Sequence, residues 1–233
     1  MILGLVPARV GSKGVPGKNV RLLAGRPLLA YTAAAARDSG VIDRLVLSTD
    51  SDDISRVGAQ VGLDVPFRRP AALAKDDTPM LPVIEHVIGE LDRTGWHAEI
   101  IVLLQPTSPL RTPFHIRASV QLLRESNADS VVSVLELPKH FSPDYVMRID
   151  EGKLVSFLPD GMRVTRRQDA RAAFVRDGTV YTFWTRTVRE QHSIYGRDCR
   201  PLVVSAGESM TIDTWDDWRE AERRLAADGN PSA

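Results

Sequence analysis

The chain has 233 residues, with 30 basic and 30 acidic side chains and 43% hydrophobic residues. Balanced charge gives no overall field to draw nucleic acid or an anionic membrane surface, so any anion-binding role must be local. No apolar run approaches the roughly 20 residues of a membrane span, and the opening run is too short for a signal peptide, which predicts a soluble, cytoplasmic protein with no membrane or nucleic-acid partner.

Ile2 to Val6 is a short apolar run closed by Pro7, the pattern of a buried strand. After a glycine-rich loop, Leu28 to Arg37 reads as a helix, with Pro27 at its first position and Gly40 at its stop. Leu45 to Ser48 is the next strand, and Thr49-Asp50-Ser51-Asp52 supplies N-cap residues for a helix over Ile54 to Val61. Val65 to Phe67 reads as a further short strand. Pro82 to Arg93 is a helix, Ile100 to Leu104 a strand ending in QPTSPLRTP, Ile116 to Glu125 a helix and Ser130 to Leu135 a strand. This alternation predicts a parallel sheet with helices on both faces.

From Glu136 to Arg176 the rhythm changes. Prolines, paired charges and the short pieces YVMRI and KLVSFL predict β-rich excursions outside the sheet. Gly178 to Trp184 and Arg200 to Ser205 read as strands again, and WDDWREAERRLAA as a closing helix. The expected organisation is one Rossmann-like α/β domain, residues 1–135 and 177–226, carrying an inserted arm, 136–176. No repeat of about 20 to 50 residues points to a solenoid.

PARVGSKGVPGKN, Pro7 to Asn19, packs three glycines, one arginine, two lysines and a serine behind the first strand. Gly11, Gly14 and Gly17 recur every three residues, which matches neither the dinucleotide nor the P-loop fingerprint. The physics of those loops still transfers. Glycine lets backbone amides approach phosphate oxygens, and Arg9, Lys13 and Lys18 can neutralise them. Three charges in ten residues often form only a solvated surface; here position, glycine content and charge together favour a triphosphate site at a strand C-terminus. Asp50 could mark a ribose-binding acid, but the glycine spacing argues against that, leaving Asp50 and Asp52 as turn and capping residues.

The single cysteine, Cys199, excludes an intrachain disulfide and a Cys-cluster zinc site. His86, His97, His115, His140 and His192 have no partners at metal-ligand spacing and read as structural or surface residues, with an approach of His140, in the arm, to a second substrate as the lesser alternative.

VPARVGSKGVPGKN and LLQPTSPLRT together resemble the acylneuraminate cytidylyltransferase family, the CMP-sialic acid synthetases and their relatives. The resemblance continues through STD, RRPAALAKDDT, RRQDAR, DGTVY and IDTWDDWREAE. It implies a Rossmann-like three-layer nucleotidyltransferase fold with a mainly parallel central sheet and an inserted dimerisation arm. It also implies Mg²⁺, CTP and a small acidic acceptor as ligands, with pyrophosphate released and CMP joined to the acceptor. By this resemblance Arg9, Ser12, Lys13 and Lys18 hold the triphosphate, Asn19 sits at the base of the loop, and Gly11, Thr78 and Ser108 complete the CTP site. Gln105, Thr107 and Arg111 face the acceptor, and Arg167 meets its acid group. Arg9, Lys13 and Lys18 would stabilise charge on the leaving pyrophosphate. The arm from Glu136 to Gln168 would cross to a partner in a homodimer.

Asp213 matches a metal-binding acid of the family. Two residues earlier, where relatives carry a second acid, this chain has Thr211, so Asp213 acts alone, Asp216 contributes, or activity is lost. Asp216 and Asp217 otherwise read as first-turn helix residues. Relatives of the sialic acid type show asparagine where this chain has Asp177, and the arm holds Arg163, Arg166, Arg167, Arg171 and Arg176. Both departures leave the acceptor open between a nonulosonic (sialic-type) acid and a phosphonate, with a catalytically inactive nucleotide-binding protein as the alternative of another class.

Overall fold

The computed structural model describes residues 1–11 and 13–227. The order of elements is β1 (Ile2–Pro7), β2 (Leu22–Leu23), β3 (Arg26–Pro27), α1 (Leu28–Asp38), β4 (Arg44–Ser48), α2 (Asp52–Gln60), α3 (Met80–Arg93), β5 (Ile100–Leu103), α4 (Pro113–Ser126), β6 (Ser130–Glu136), β7 (Met147–Asp150), β8 (Lys153–Ser156), β9 (Phe174–Trp184), α5 (Thr185–Gln191), β10 (Cys199–Val204) and α6 (Trp215–Ala227). Six strands form the central sheet in the order β10-β6-β9-β5-β1-β4. β9 runs antiparallel to both its neighbours, β5 and β6, and every other pairing is parallel. The C-termini of β1, β4, β5, β6 and β10 therefore open on one edge, where ligands bind in open α/β sheets.

The inner strands β1 and β5 are buried on both faces, which is why they read as continuous apolar runs, whereas the edge strand β10 is largely exposed. One face packs Leu29, Ala33 and Ala36 of α1 with Ile54 of α2 and Ile116, Val120 and Leu123 of α4. The other packs Ile84, Val87, Ile88 and Leu91 of α3 with Val188 of α5. Each fully buried Leu or Ile contributes about 1.5–3 kcal/mol. A third cluster joins Val15 of the glycine-rich loop to Leu23, Leu28, Ile212 and Trp218. It fixes the opening loop against the segment that leads into α6.

Local chemistry sets the helix ends. Ser51 Oγ accepts from Ile54 N at 3.3 Å, capping α2 as the polar run before it predicts. Pro27 stands at the N-cap of α1, one position earlier than expected. α4 starts at Pro113, where Thr112 N donates to His115 Nδ1 at 3.2 Å, and ends at Asn127 in the left-handed conformation.

Two expectations change. Val65 to Phe67 is not a strand; an isolated bridge from Val46 to Asp64 is the pairing found there, because the chain turns away toward Arg68 and Arg69. β9 is longer than GTVYTFW and begins at Phe174, where Phe174, Val175 and Arg176 pair with Glu136, Leu135 and Val134. Its register shifts at Ser133, whose hydroxyl donates to Val180 O and accepts from Val180 N, so the irregularity leaves no lost backbone bond at Val180.

The arm contains the β7–β8 hairpin and a latch. The buried Asp144 carboxylate accepts from Arg171 N at 2.7 Å and Arg171 Nε at 2.8 Å, and from Ser142 Oγ. The Arg171 guanidinium holds the Asp144 carboxyl at about 2. Among the described residues no helix is long and apolar enough to cross a membrane.

Candidate active site

At the common C-terminal edge lies a cavity of about 520 Å³. Arg9, Lys13, Gly14, Lys18 and Asn19 of the loop after β1 form one side, and Gln105, Pro106 and Thr107 after β5 another. Thr211 and Asp213 close it from the segment before α6, and Arg69, Asp76 and Met80 come from the wall before and at the start of α3.

The loop is tied down at both ends. Asn19, 7% exposed, donates from Nδ2 to Arg9 O at 3.2 Å. Lys18 Nζ donates to Ile212 O at 2.8 Å and pairs with Asp213 Oδ1 at 3.1 Å. Ile212 N donates to Thr107 O at 2.9 Å, so the three segments are knit through one backbone point. Asp217 Oδ2 accepts from Asp213 N and Thr214 N, which holds the Asp213 backbone at the start of α6. Gly11, at φ +86°, carries the turn that folds the Arg9 guanidinium back over the loop. Asp50 Oδ1 accepts from Val10 N at 3.0 Å, and Asp52 pairs with Arg68, so both acids act structurally.

Two of the lining residues, Arg69 and Asp76, escape sequence reasoning. Arg69 is 4% exposed and donates from Nε and Nη2 to Ser48 Oγ and O at 3.0 and 2.6 Å. Burial pushes its guanidinium down to about 10, against the opposing charge of Asp50. Asp76 pairs with both Arg9 and Lys13. Nothing local in RRPAALAKDDT separates Arg69 from Arg68, or Asp76 from Asp77. Only the tertiary packing does.

The structure brings together Arg9, Lys13, Lys18, Asn19, Gln105, Thr107 and Asp213. Arg111, expected to face the acceptor, is not among the residues lining this cavity. It is 5% exposed, and its guanidinium donates to Thr179 O, to Thr32 Oγ1 at 2.9 Å and to Gln105 O at 2.6 Å. Burial pushes its guanidinium down to about 9, opposed by the charge of Asp177. Its tie to Gln105 O makes it a brace behind the cavity wall. Ser108, 2% exposed, and Thr78 are not among the lining residues either. Arg167 and His140 lie exposed on the arm, away from the lining. Ser12 lies outside the described residues.

A loop with three cations beside a strand C-terminus, joined to QPTSP and to an aspartate, is an arrangement for a polyphosphate and a second small substrate. Residues 3–187 match the cytidylyltransferase family. The chain belongs to that family. It is 36% identical over 227 residues to the CMP-N,N'-diacetyllegionaminic acid synthase of Legionella pneumophila subsp. pneumophila, covering 96% of each chain. It is 32% identical to an N-acylneuraminate cytidylyltransferase of Oncorhynchus mykiss over 96% of its own length and 50% of that protein. The chain thus spans about half of that longer relative. Its fold is that of a CMP:2-keto-3-deoxy-manno-octonic acid synthetase complexed with CTP, with a TM-score of 0.73, 16% identity, and coverage of 97% of this chain and 99% of that one. A 4-diphosphocytidyl-2C-methyl-D-erythritol synthase from Anaerococcus prevotii follows the same fold at a TM-score of 0.66 and 14% identity, over 97% of this chain and 98% of that one.

For this cytidylyltransferase, the departures at Thr211 and Asp177 form one unit. Thr211 Oγ1 donates to Asp177 O at 3.0 Å, and the Asp177 carboxylate accepts from Thr179 N and Oγ1 at 3.0 and 2.5 Å. A negative Asp177 beside buried Arg111 offsets a charge that asparagine would leave uncompensated. Among the arm arginines, Arg171 serves the latch, Arg166 pairs with Asp169 at 2.7 Å, and Arg176 meets the Tyr195 hydroxyl and lies over its ring.

Proposed function

We propose that this cytidylyltransferase joins CMP from CTP to the hydroxyl of a nonulosonic, sialic-type acid, with release of pyrophosphate. The observation that carries the reading is the cation-lined cavity, with Arg9, Lys13, Lys18 and Arg69 around its rim. A chain 36% identical, end to end, to a CMP-N,N'-diacetyllegionaminic acid synthase supports the acceptor class. The acceptor oxygen attacks the α-phosphorus, the bond to the β-phosphate breaks, and negative charge grows on pyrophosphate. Arg9, Lys13 and Lys18, with backbone amides of the glycine-rich loop, offset that charge. No covalent nucleophile is required, and exposed Cys199 has no part in the reaction. Gln105 and Thr107, on the neighbouring wall, orient the acceptor.

Mg²⁺ fits this donor set in one way. Among the described residues no three His, Cys, Asp or Glu side chains form a metal cluster. The exposed Asp213 carboxylate is the acid beside Thr211, whose hydroxyl proton is committed to Asp177 O. Mg²⁺ is commonly held by one or two carboxylates with substrate phosphates and waters. Asp213 would hold it with triphosphate oxygens, where it supplies additional neutralisation of phosphate charge.

The reading includes a homodimer and a cytoplasmic site of action, where CTP is supplied. Ile149 and Leu154 of the hairpin, with Phe157, Phe174 and Val175, expose apolar surface that a second copy would cover. That assembly gives Arg167 a route to the partner's acceptor. A sialic-type acid is favoured over a phosphonate because Arg166, Arg171 and Arg176 are already engaged within the chain, which lowers the free arginine density of the arm.

The test is pyrophosphate release from each nucleoside triphosphate with Mg²⁺ against N-acetylneuraminate, a diacetylated nonulosonate, Kdo and a small phosphonate. The reading expects CTP with a nonulosonate. Turnover of the phosphonate alone would transfer the assignment, and CTP binding with no turnover would leave a binding protein.

A further inference from the structure

Asp76 approaches the glycine-rich loop from the opposite wall, between the turn at Ala71–Leu73 and α3. Its carboxylate is divided between two cations: Oδ1 lies 2.6 Å from Arg9 Nη1, and Oδ2 lies 2.6 Å from Lys13 Nζ. Lys13 has no other ion-pair partner among the described residues, and its side chain is 81% exposed. Without Asp76 nothing in the described structure would hold that ammonium over the cavity. Hydrogen bonds from Lys13 and then Arg9 keep the Asp76 carboxyl below the usual carboxylate range. The side chain is 44% exposed, so water reaches the pair and the contact is exchangeable.

We propose that Asp76 is a positioning residue that stands in for a phosphate. It holds Arg9 and Lys13 over the cavity, is displaced when a triphosphate enters, and returns to both cations as pyrophosphate leaves. The proposal rests on the reading of this cavity as a triphosphate site. Its physical basis is competition. A carboxylate oxygen at 2.6 Å from each nitrogen occupies the approach that a phosphate oxygen needs, and like charges repel if both remain. A triphosphate brings more charge than one carboxylate and wins entry, while the carboxylate speeds departure of the product. Asp76 thus sets affinity for phosphate ligands without touching the reacting atoms.

The experiment is calorimetric titration of the full chain with inorganic pyrophosphate, paired with pyrophosphate product inhibition of the CTP reaction. Asp76→Asn keeps the shape and removes the charge. It is expected to lower the pyrophosphate dissociation constant and inhibition constant about fivefold to tenfold. Asp76→Glu is expected to restore both values, and Asp77→Asn, which makes the same change in net charge, to leave them within about twofold. Loosening of the loop would move the constants upward. Unchanged or weaker pyrophosphate binding by a folded Asp76→Asn protein overturns the proposal, as does an equal gain from Asp77→Asn. Failure of the wild-type protein to bind pyrophosphate at millimolar concentration would overturn the triphosphate reading itself, and the role of Asp76 with it.

Discussion

A Cβ atom on Gly14 would lie 1.8 Å from the backbone carbonyl oxygen of Asp213. The glycine-rich loop and the segment before α6 therefore meet backbone to backbone, and neither has a flexible side chain that can yield. Val15, fully buried against Ile212 and Trp218, holds the contact in place.

Gly14→Ala must push these two segments apart. Overpacking of this kind costs about 1–3 kcal/mol, and the displacement separates Lys18 from Ile212 O. The expected result is a KM for CTP raised at least about tenfold, with a lower midpoint in urea. Steady-state kinetics and denaturation on the same preparation check both.

Lys13 and Lys18 separate by exposure. Lys13 is 81% exposed, whereas Lys18 is 15% exposed and bound to Ile212 O. Lys13→Ala is expected to leave unfolding unchanged and lower kcat about a hundredfold. Lys18→Ala is expected to lower both stability and turnover. A change in KM alone for Lys13→Ala would make that lysine a ground-state anchor instead.

Arg111→Met replaces a buried guanidinium whose acceptors, Thr179 O, Thr32 Oγ1 and Gln105 O, then lose their donor. Losing a buried charged donor of this kind costs about 3 kcal/mol. The predicted effect is a melting temperature lower by about 6–12 °C. Selective loss of acceptor binding in a protein of normal stability would return Arg111 to the acceptor site.

The arm latch gives a pH dependence of known sign. Asp144 has a folded pKa of about 2, depressed by Arg171, against roughly 3.9 for a free side chain. Its contribution is fully present above the unfolded value and is lost as pH falls through the interval toward 2. Limited proteolysis between pH 5 and 2 is expected to show cleavage near residues 144–171 rising as pH falls. Asp144→Asn is expected to show it already at pH 5.

Much of the fold is legible because it is local. The apolar runs of β1, β4, β5, β6 and β10 are bounded by Pro, Gly and capping residues, and each lies near its expected place. The loop cations are legible for the same reason, since charge, glycine and strand end occur within thirteen residues. What the sequence hides is direction. Arg111 and Gln105 stand in one motif, yet one points into the core and the other into the cavity. Asp76 and Asp77 are neighbours, and only the fold sets one against Arg9. The antiparallel course of β9 is hidden too, because a strand buried on both faces reads alike in either direction.

Phosphorus NMR of the protein incubated with CTP, Mg²⁺ and a diacetylated nonulosonate follows the transfer of CMP itself. CTP signals are expected to be replaced by one CMP ester of the acceptor and one pyrophosphate for each CTP consumed. CDP with inorganic phosphate, or CTP left intact beside a protein that still binds it, would contradict transfer of CMP from this cavity.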